Sequence, residues 1–470
     1  MKINTIKWAM LFVMTVMLVS CENKDQFKSF SQPTPKEMVY YLASDSLQGR
    51  FPGTVGSNEA AHYIALNFQN AGLKPISAIQ SLSNSTARTQ AIATDSSYFI
   101  PFLARTPKAI YQTQNVAGFV RGTDLKLAQE IIIIGSHYDH LGMGGEDSPS
   151  RQKDTIAVHN GADDNASGCA GVMTLAYYFS KHPLKRSLLF MTFSAEEMGL
   201  IGSKEFTRDM DKYHFGYDSI SYVAMVNADM IGHLKKGWFS IDGTGTSESS
   251  SDIVKHLLDK DTTATMDVSA TMDATATMDV SATMDVSGLH IRQGYSGYGA
   301  SDHTSFYLKS LPVFFVHTPA KPDYHTPADD ADKLNYAGMD SVIFVMRKLV
   351  NEIGTRSKCL KFRKTESSMK TNSGHSHSSG LKVKLGIMPD VTGACSFGMS
   401  ADIVVKGKAA YKGGMRSGDI ILSINNRSVK DVYVYMDVLN TLDIGQVIQV
   451  KVRRGEKDMI FSVLPIPTKK

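Results

Sequence analysis

The chain has 470 residues, a hydrophobic fraction of 42% and charged residues at 20%, which predicts a globular protein of two or three domains with a sizeable core. A formal charge of +4 with no arginine-rich block argues against nucleic acid as a partner. The four cysteines, Cys21, Cys169, Cys359 and Cys395, are too widely spaced for a disulfide framework.

The chain opens "MKINTIKWAMLFVMTVMLVSCENKD". Lys2 and Lys7 form a basic start, residues 8–19 an apolar run, and Ser20 a small residue before Cys21, which reads as an export signal. Leu18-Val19-Ser20-Cys21 resembles the lipobox of bacterial lipoproteins. That resemblance implies cleavage to leave residues 1–21 as a signal peptide, a lipid on Cys21, and a place in the bacterial cell envelope with the membrane reached through the lipid only. A plain signal peptide or a single anchor helix are the alternatives. No later apolar run of about 20 residues follows, so nothing else is predicted to span a bilayer.

Residues 22–35 are polar and read as a tether. The next stretch, to about residue 75, predicts two amphipathic helices around a glycine-rich loop. Strands are predicted near 96–103, 113–120 and 131–137, then a helix over 166–181 and strands over 187–194 and 222–229. The runs "IIIIGSH" and "SLLFMTFS" are apolar without alternation, as in strands covered on both faces. The fold class that follows is α/β, with a mixed, mainly parallel sheet sandwiched by helices over residues 36–355. Residues 264–287 repeat as ATMDVS, ATMDAT, ATMDVS, ATMDVS and read as a surface insertion. Asp267, Asp273, Asp279 and Asp285 lack the glycines of calcium-binding repeats. Residues 364–380, rich in Ser, Thr and Gly, read as a linker, and residues 381–466 as a small β-rich domain.

Five motifs carry histidines or carboxylates, most of them just past a predicted strand end, where α/β sheets gather ligands. They are His137 in "IIIIGSHYDHLG", Asp163 and Asp164 in "NGADDNASG", Glu196 and Glu197 in "FMTFSAEEMGLIGS", Asp229 in "YVAMVNADMIGH" and His325 in "PDYHTPADD". Adjacent glutamates repel unless a positive charge sits between them or one keeps a proton. Histidine nitrogens with carboxylate oxygens suit zinc. A carboxylate shared between two ions would hold them about 3.5–4 Å apart over one water and one carbonyl. One glutamate then binds metal while its neighbour moves protons.

Together with "LASDSLQGR", "GTVGSNEAAHYIA" and "SDHTSF", these motifs stand in one order over about residues 36–350. In that order they resemble the co-catalytic di-zinc aminopeptidases of the bacterial leucyl aminopeptidase type, relatives of glutamate carboxypeptidase and the transferrin receptor. The resemblance implies two zinc ions per chain, one held by His137, Asp164 and Asp229, the other by Asp164, Glu197 and His325, with Asp164 shared. It implies Glu196 as general base, Asp139 as the residue that holds His137, and Asp302, His303 and Tyr324 as lining of the substrate pocket. The function implied is an exported aminopeptidase acting on peptides. The alternatives are a glutaminyl cyclase or carboxypeptidase on the same scaffold, or a non-catalytic peptide-binding scaffold.

The last domain carries "LGI" at 385–387 and "GGMRSGDIILSINNRSV" at 413–429, and resembles a PDZ domain. That resemblance implies a carboxylate-binding loop at Leu385, Gly386 and Ile387 that takes a peptide or protein C-terminus.

Overall fold

The structure is a computed structural model that describes residues 32–76, 97–106, 109–145, 148–152, 154–259, 288–319, 321–365, 383–389, 398–429 and 432–467. Cys21 with its export signal, the hexad insertion, and residues 366–380 of the linker lie outside the described residues. Among the described residues no helix is long and apolar enough to cross a membrane.

The first large body runs α1 (Pro35–Leu42), α2 (Val55–Asn70), β1 (Lys74–Pro75), β2 (Phe99–Arg105), β3 (Ile110–Val120), β4 (Glu130–His137), α3 (Gly168–Lys181), β5 (Ser187–Phe193), α4 (Ile201–Asp209) and β6 (Ser221–Ala228). It continues with β7 (Trp238–Asp242), α5 (Ser250–His256), β8 (His290–Gln293), α6 (His303–Tyr307), β9 (Val313–His317) and α7 (Tyr336–Thr355). Helix α1 starts where it does because Thr34 and Glu37 form a capping box, the Thr34 hydroxyl accepting from the Glu37 amide and Glu37 accepting from the Thr34 amide.

The strands form one mixed sheet in the order β1-β3-β5-β4-β6-β9-β7-β8, with β2 paired to β3. Its middle, β5-β4-β6-β9, is parallel. Strand β3 joins β5 antiparallel, and β7 joins β9 antiparallel. The unalternating apolar runs have the expected cause, since every residue of β5 and all but the first of β4 are buried. Successive side chains go to opposite faces. Ile132, Ile134, Leu188, Phe190 and Val226 enter the core under α1, α2, α3 and α7, while Ile131, Ile133, Leu189, Met191 and Met225 enter the core that holds Phe206 and Phe306 of α4 and α6.

This topology gathers the functional motifs. From β4 the chain passes through α3 to β5 on one side, then through α4 to β6 on the other side of β4. Ligands of parallel α/β sheets collect at such a reversal, beyond the carboxyl ends of the strands. His137 ends β4, Glu196 follows β5 by three residues, and Asp229 follows β6 directly. Beyond α7 the chain still packs on this body as far as Thr365, whose amide donates to the Tyr307 hydroxyl over 2.9 Å.

Residues 383–467 build a separate core. They form β10 (Val383–Lys384), β11 (Ile387–Pro389), β12 (Met399–Val404), α8 (Ala409–Lys412), β13 (Asp419–Ile424), β14 (Arg427–Ser428), α9 (Val432–Thr441), β15 (Ile448–Arg454), β16 (Lys457–Val463) and β17 (Ile466–Pro467). Its main sheet is ordered β11-β12-β13-β15-β16 around buried Met399, Ile421, Leu439 and Val450. Arg454 forks onto buried Asp419, Nε to Oδ1 at 2.6 Å and Nη2 to Oδ2 at 2.8 Å, which ties β15 to β13.

Phe190 is fully buried in the middle of β5, so Phe190→Ala is expected to lower the stability of the first body by about 3–5 kcal/mol, read from its thermal or urea unfolding midpoint.

Candidate metal centre

Asp164 is the hub of the cluster at the strand ends. Its Oδ1 lies 3.3 Å from His137 Nε2, and its Oδ2 lies 3.1 Å from His325 Nε2. Asp229 Oδ1 closes one side at 3.4 Å from His137 Nε2, and Glu197 Oε2 closes the other at 3.1 Å from His325 Nε2. The two oxygens of one carboxylate thus face two separate nitrogen-carboxylate groups. Donor atoms of His137, Glu196 and Asp229 lie within 4.8 Å of one another, as do those of His140, Asp164 and Glu197.

The donor set fits cations. His325 Nε2 has two carboxylate oxygens at 3.1 Å but no hydrogen-bond partner among the described residues, and neither has Asp229 Oδ1. A single ring N–H cannot point at both oxygens. Buried donors converging without hydrogen bonds are what a metal ion satisfies.

The local backbone explains how the groups reach the site. Ala195, Met230 and His325 have φ of +59°, +55° and +56°, each a left-handed conformation that costs a non-glycine residue about 1–3 kcal/mol. Each is pinned through its carbonyl: Ile201 N donates to Ala195 at 3.0 Å, Thr318 N to Met230 at 2.8 Å and Arg151 N to His325 at 2.9 Å. The turn Ala162–Ser167 is seated by Asn165, whose Oδ1 accepts from the Gly168 and Met230 amides and whose Nδ2 donates to the Ala228 carbonyl.

The two glutamates occupy different electrostatic surroundings. Burial alone would raise the Glu197 carboxyl, but His325 and His140 beside it bring it down to about 2. Burial raises Glu196 as well, and Glu197, Asp302 and Asp229 push the same way against the pull of His137, so that it ends well above the usual carboxylate range. Neighbouring carboxyls pushed apart in this way are suited to different tasks.

Asp139 lies against both His137 and the loop of the two glutamates. Its carboxylate accepts the Glu196 amide at 3.0 Å and the Glu197 amide at 3.3 Å, while His137 Nδ1 lies 3.2 Å from the Asp139 backbone carbonyl and 3.8 Å from Oδ1. The physical reason is that the chain turns after β4, bringing the carboxylate under the loop that follows β5. Asp139 therefore anchors the glutamate pair, and its carbonyl is the nearer of its two contacts to the imidazole, with the carboxylate further off.

Tyr324 lines the cleft, an open space of about 400 Å³ bordered by His137, Asp164, Glu196, Glu197 and Asp229 and walled by Met230, Ala300, Phe315 and His317. Asp302 and His303 are not among its lining residues and are wholly buried. They stand at the start of the short helix α6, Asp302 as its N-cap, and the His303 ring stacks on Phe315 of the wall with ring centroids 4.4 Å apart.

Three residues had no predicted role. His140 Nδ1 lies 2.9 Å from Glu197 Oε1, holding the oxygen that does not face His325. Asp329 accepts the amides of Asp163 and Asp164 at 3.0 Å each. His233 Nδ1 lies 2.6 Å from Asp163 Oδ2, which turns Asp163 away from the cluster and leaves Asp164 in it. His140 stands in "HYDHLG" and Asp329 in "DYHTPADD", so both signals were present in motifs already singled out.

In the C-terminal domain Leu385 is buried and its carbonyl accepts from Ala410 N at 2.9 Å; the Gly386 carbonyl accepts from Val405 N at 2.9 Å. Gly386 has φ +74° and a Cβ there would lie 2.3 Å from Lys408 Cβ, which accounts for the glycine. Ile387 opens β11, which among the described residues pairs only with β12.

Comparison with known proteins gives the family of the chain. The family model described as peptidase family M28 matches residues 115–350, and the PDZ domain model matches residues 367–464. Aminopeptidase YwaD of Bacillus subtilis is 22% identical over 229 residues, 47% of this chain and 41% of that protein. The probable lipoprotein aminopeptidase LpqL of Mycobacterium tuberculosis is 32% identical over 92 residues, 19% of this chain and 17% of that protein. The matches to these two relatives span less than half the length of either. Among solved structures, LapA aminopeptidase of Legionella pneumophila aligns over 70% of this chain and 73% of its own at 19% identity and a TM-score of 0.47. Glutaminyl cyclase of Porphyromonas gingivalis aligns over 69% and 98% at 14% identity and a TM-score of 0.48.

Because an asparagine at position 139 has one acceptor oxygen for two amides, Asp139→Asn is expected to destabilise the metal-free protein by about 1–3 kcal/mol, measured by thermal unfolding in excess chelator.

Proposed function

The chain belongs to peptidase family M28, and from that premise we propose that it is a zinc aminopeptidase with a two-ion centre and Glu196 as its general base. The observation that carries the reading is Asp164, whose two oxygens face His137 with Asp229 on one side and His325 with Glu197 on the other. In this reading His137, Asp164 and Asp229 hold one ion, and Asp164, Glu197 and His325 hold the other. Bound there, zinc supplies Lewis acidity to the scissile carbonyl and a lowered pKa to water.

The remaining chemistry belongs to the chain. Glu197 stays ionised between His140 and His325. Glu196, beside His137 and Asp229, takes a proton from the attacking water and returns it to the leaving amine. Asp139 sets the direction of both glutamates through their amides. The wall formed by Met230, Ala300, Phe315, His317 and Tyr324 receives the first side chain of the peptide. In the PDZ domain, the Leu385–Ile387 loop and the side of β11 away from β12 take a peptide or protein C-terminus by strand addition. Export and a lipid on Cys21 place the enzyme in the cell envelope of a bacterium, tethered to the membrane.

The test is an assay of the purified protein on aminoacyl reporters, N-blocked peptides and peptides with N-terminal glutamine. Free amino termini are expected to be cleaved, N-blocked peptides left intact, and activity lost to chelator and regained with zinc. Cyclisation of glutamine peptides without hydrolysis of the reporters would select the cyclase reading. Glu196→Gln is expected to lower kcat by about 10²–10⁴-fold with zinc content unchanged; full activity in that variant would remove Glu196 from the mechanism.

A further inference from the structure

Arg50 is wholly buried, and every hydrogen bond its guanidinium makes among the described residues goes to a backbone carbonyl. Nε donates to Tyr138 at 2.7 Å, Nη1 to Leu42 and, at 2.7 Å, to Asn160, and Nη2 to Gly161 at 3.0 Å. Tyr138 lies between His137 and Asp139, and Gly161 precedes Asp164 by three residues. One rigid cation thus joins the end of α1, the loop after β4 and the turn that carries Asp164.

The segment that delivers Arg50 is shaped for this contact. Gln48, Gly49 and Arg50 have φ of +47°, +67° and +50°, and the Gly49 carbonyl accepts from Gly142 N at 3.1 Å. A Cβ on Gly49 would lie 2.5 Å from the His159 carbonyl and 2.7 Å from that of Gly142, so only glycine lets the turn seat itself against both loops. A guanidinium is always charged and its donors have a fixed fork, so the carbonyls it binds are held at fixed relative positions. A buried cation without partners would cost several kcal/mol. Here four carbonyl dipoles and the acidic cluster stand in for water: burial pulls Arg50 towards neutrality, and Cys169, Asp139, Asp329 and Asp164 nearby oppose that pull.

We infer that Arg50 is a positioning residue for the metal centre, setting the distance between the loop that carries His137 and the turn that carries Asp164, and through it the affinity for zinc. The inference rests on the metal-centre reading above. It makes the "LQGR" motif part of the metal site although no atom of Arg50 belongs to the donor set.

Arg186 provides the control. It is as deeply buried, but its donors go to Glu130 and to the carbonyls of Ile353 and Arg356 at the end of α7, none of them in the cluster. The full-length protein, stripped of metal, is titrated with zinc against a competing chelator and, separately, with cobalt to record its visible absorption. Arg50→Lys, which keeps the charge and loses the fork, is expected to bind zinc about 10–100-fold more weakly and to alter the cobalt spectrum. Arg186→Lys is expected to lower the thermal midpoint of the metal-free protein while keeping wild-type zinc affinity and cobalt spectrum. Wild-type zinc affinity and an unchanged cobalt spectrum in Arg50→Lys would overturn the inference. If Arg50→Lys does not fold, Gly49→Ala displaces the same turn: weakened zinc binding in that variant supports the inference and wild-type binding overturns it. Absence of zinc binding by the unaltered protein would instead overturn the metal-centre reading, and this inference with it.

Discussion

Mutual repulsion among buried carboxylates is the constraint on which the first body of this protein depends. Asp139, Asp164, Glu196, Glu197 and Asp229 are all buried at one end of one sheet. Two unit charges 4 Å apart at an effective dielectric of 20 interact by about 4 kcal/mol, so five such groups would open the site if nothing answered them. The surrounding structure answers with nitrogen donors, backbone amides and one permanent cation.

Each carboxylate has its own answer. Asp164 stands between His137 and His325, and Glu197 between His325 and His140. Asp139 is held by two amides, and Arg50 lies behind it with its fork closed on the backbone. Asp163, next in sequence to the hub, is removed from the problem by His233 and by the Gly232 amide. Glu196 and Asp229 share His137, and burial with the negative charge around them leaves both raised against its pull, Glu196 well above the usual carboxylate range.

The sheet makes these arrangements possible. Parallel β4, β5 and β6 release their chains at the same edge, so residues far apart in sequence arrive together. The left-handed positions at Ala195, Met230 and His325 then turn each chain sharply enough to aim a side chain inwards. Their carbonyl contacts hold the turns in place without help from the cluster itself. The strain is carried by the scaffold, and the donors are free to meet an ion.

Much of this was legible along the chain because its signals are local. Unbroken apolar runs mark strands buried on both faces, and "IIIIGSH" and "SLLFMTFS" became β4 and β5. A motif read as a strand followed by a carboxylate already places Glu196, Glu197 and Asp229 at the edge of a sheet. Pairing across the sheet is not local, and it decided the rest. The Asp139 carboxylate went to two amides 57 and 58 positions away, His303 went behind Phe315, and Arg50 reached carbonyls 88 to 111 positions away. By itself the amino-acid sequence determined which residue types stand at the strand ends, since periodicity and motif order are properties of neighbours. Which oxygen faces which nitrogen, and which residues merely hold the others, was decided only by the tertiary structure, because a hydrogen bond or a shared charge depends on distances that chain order does not contain.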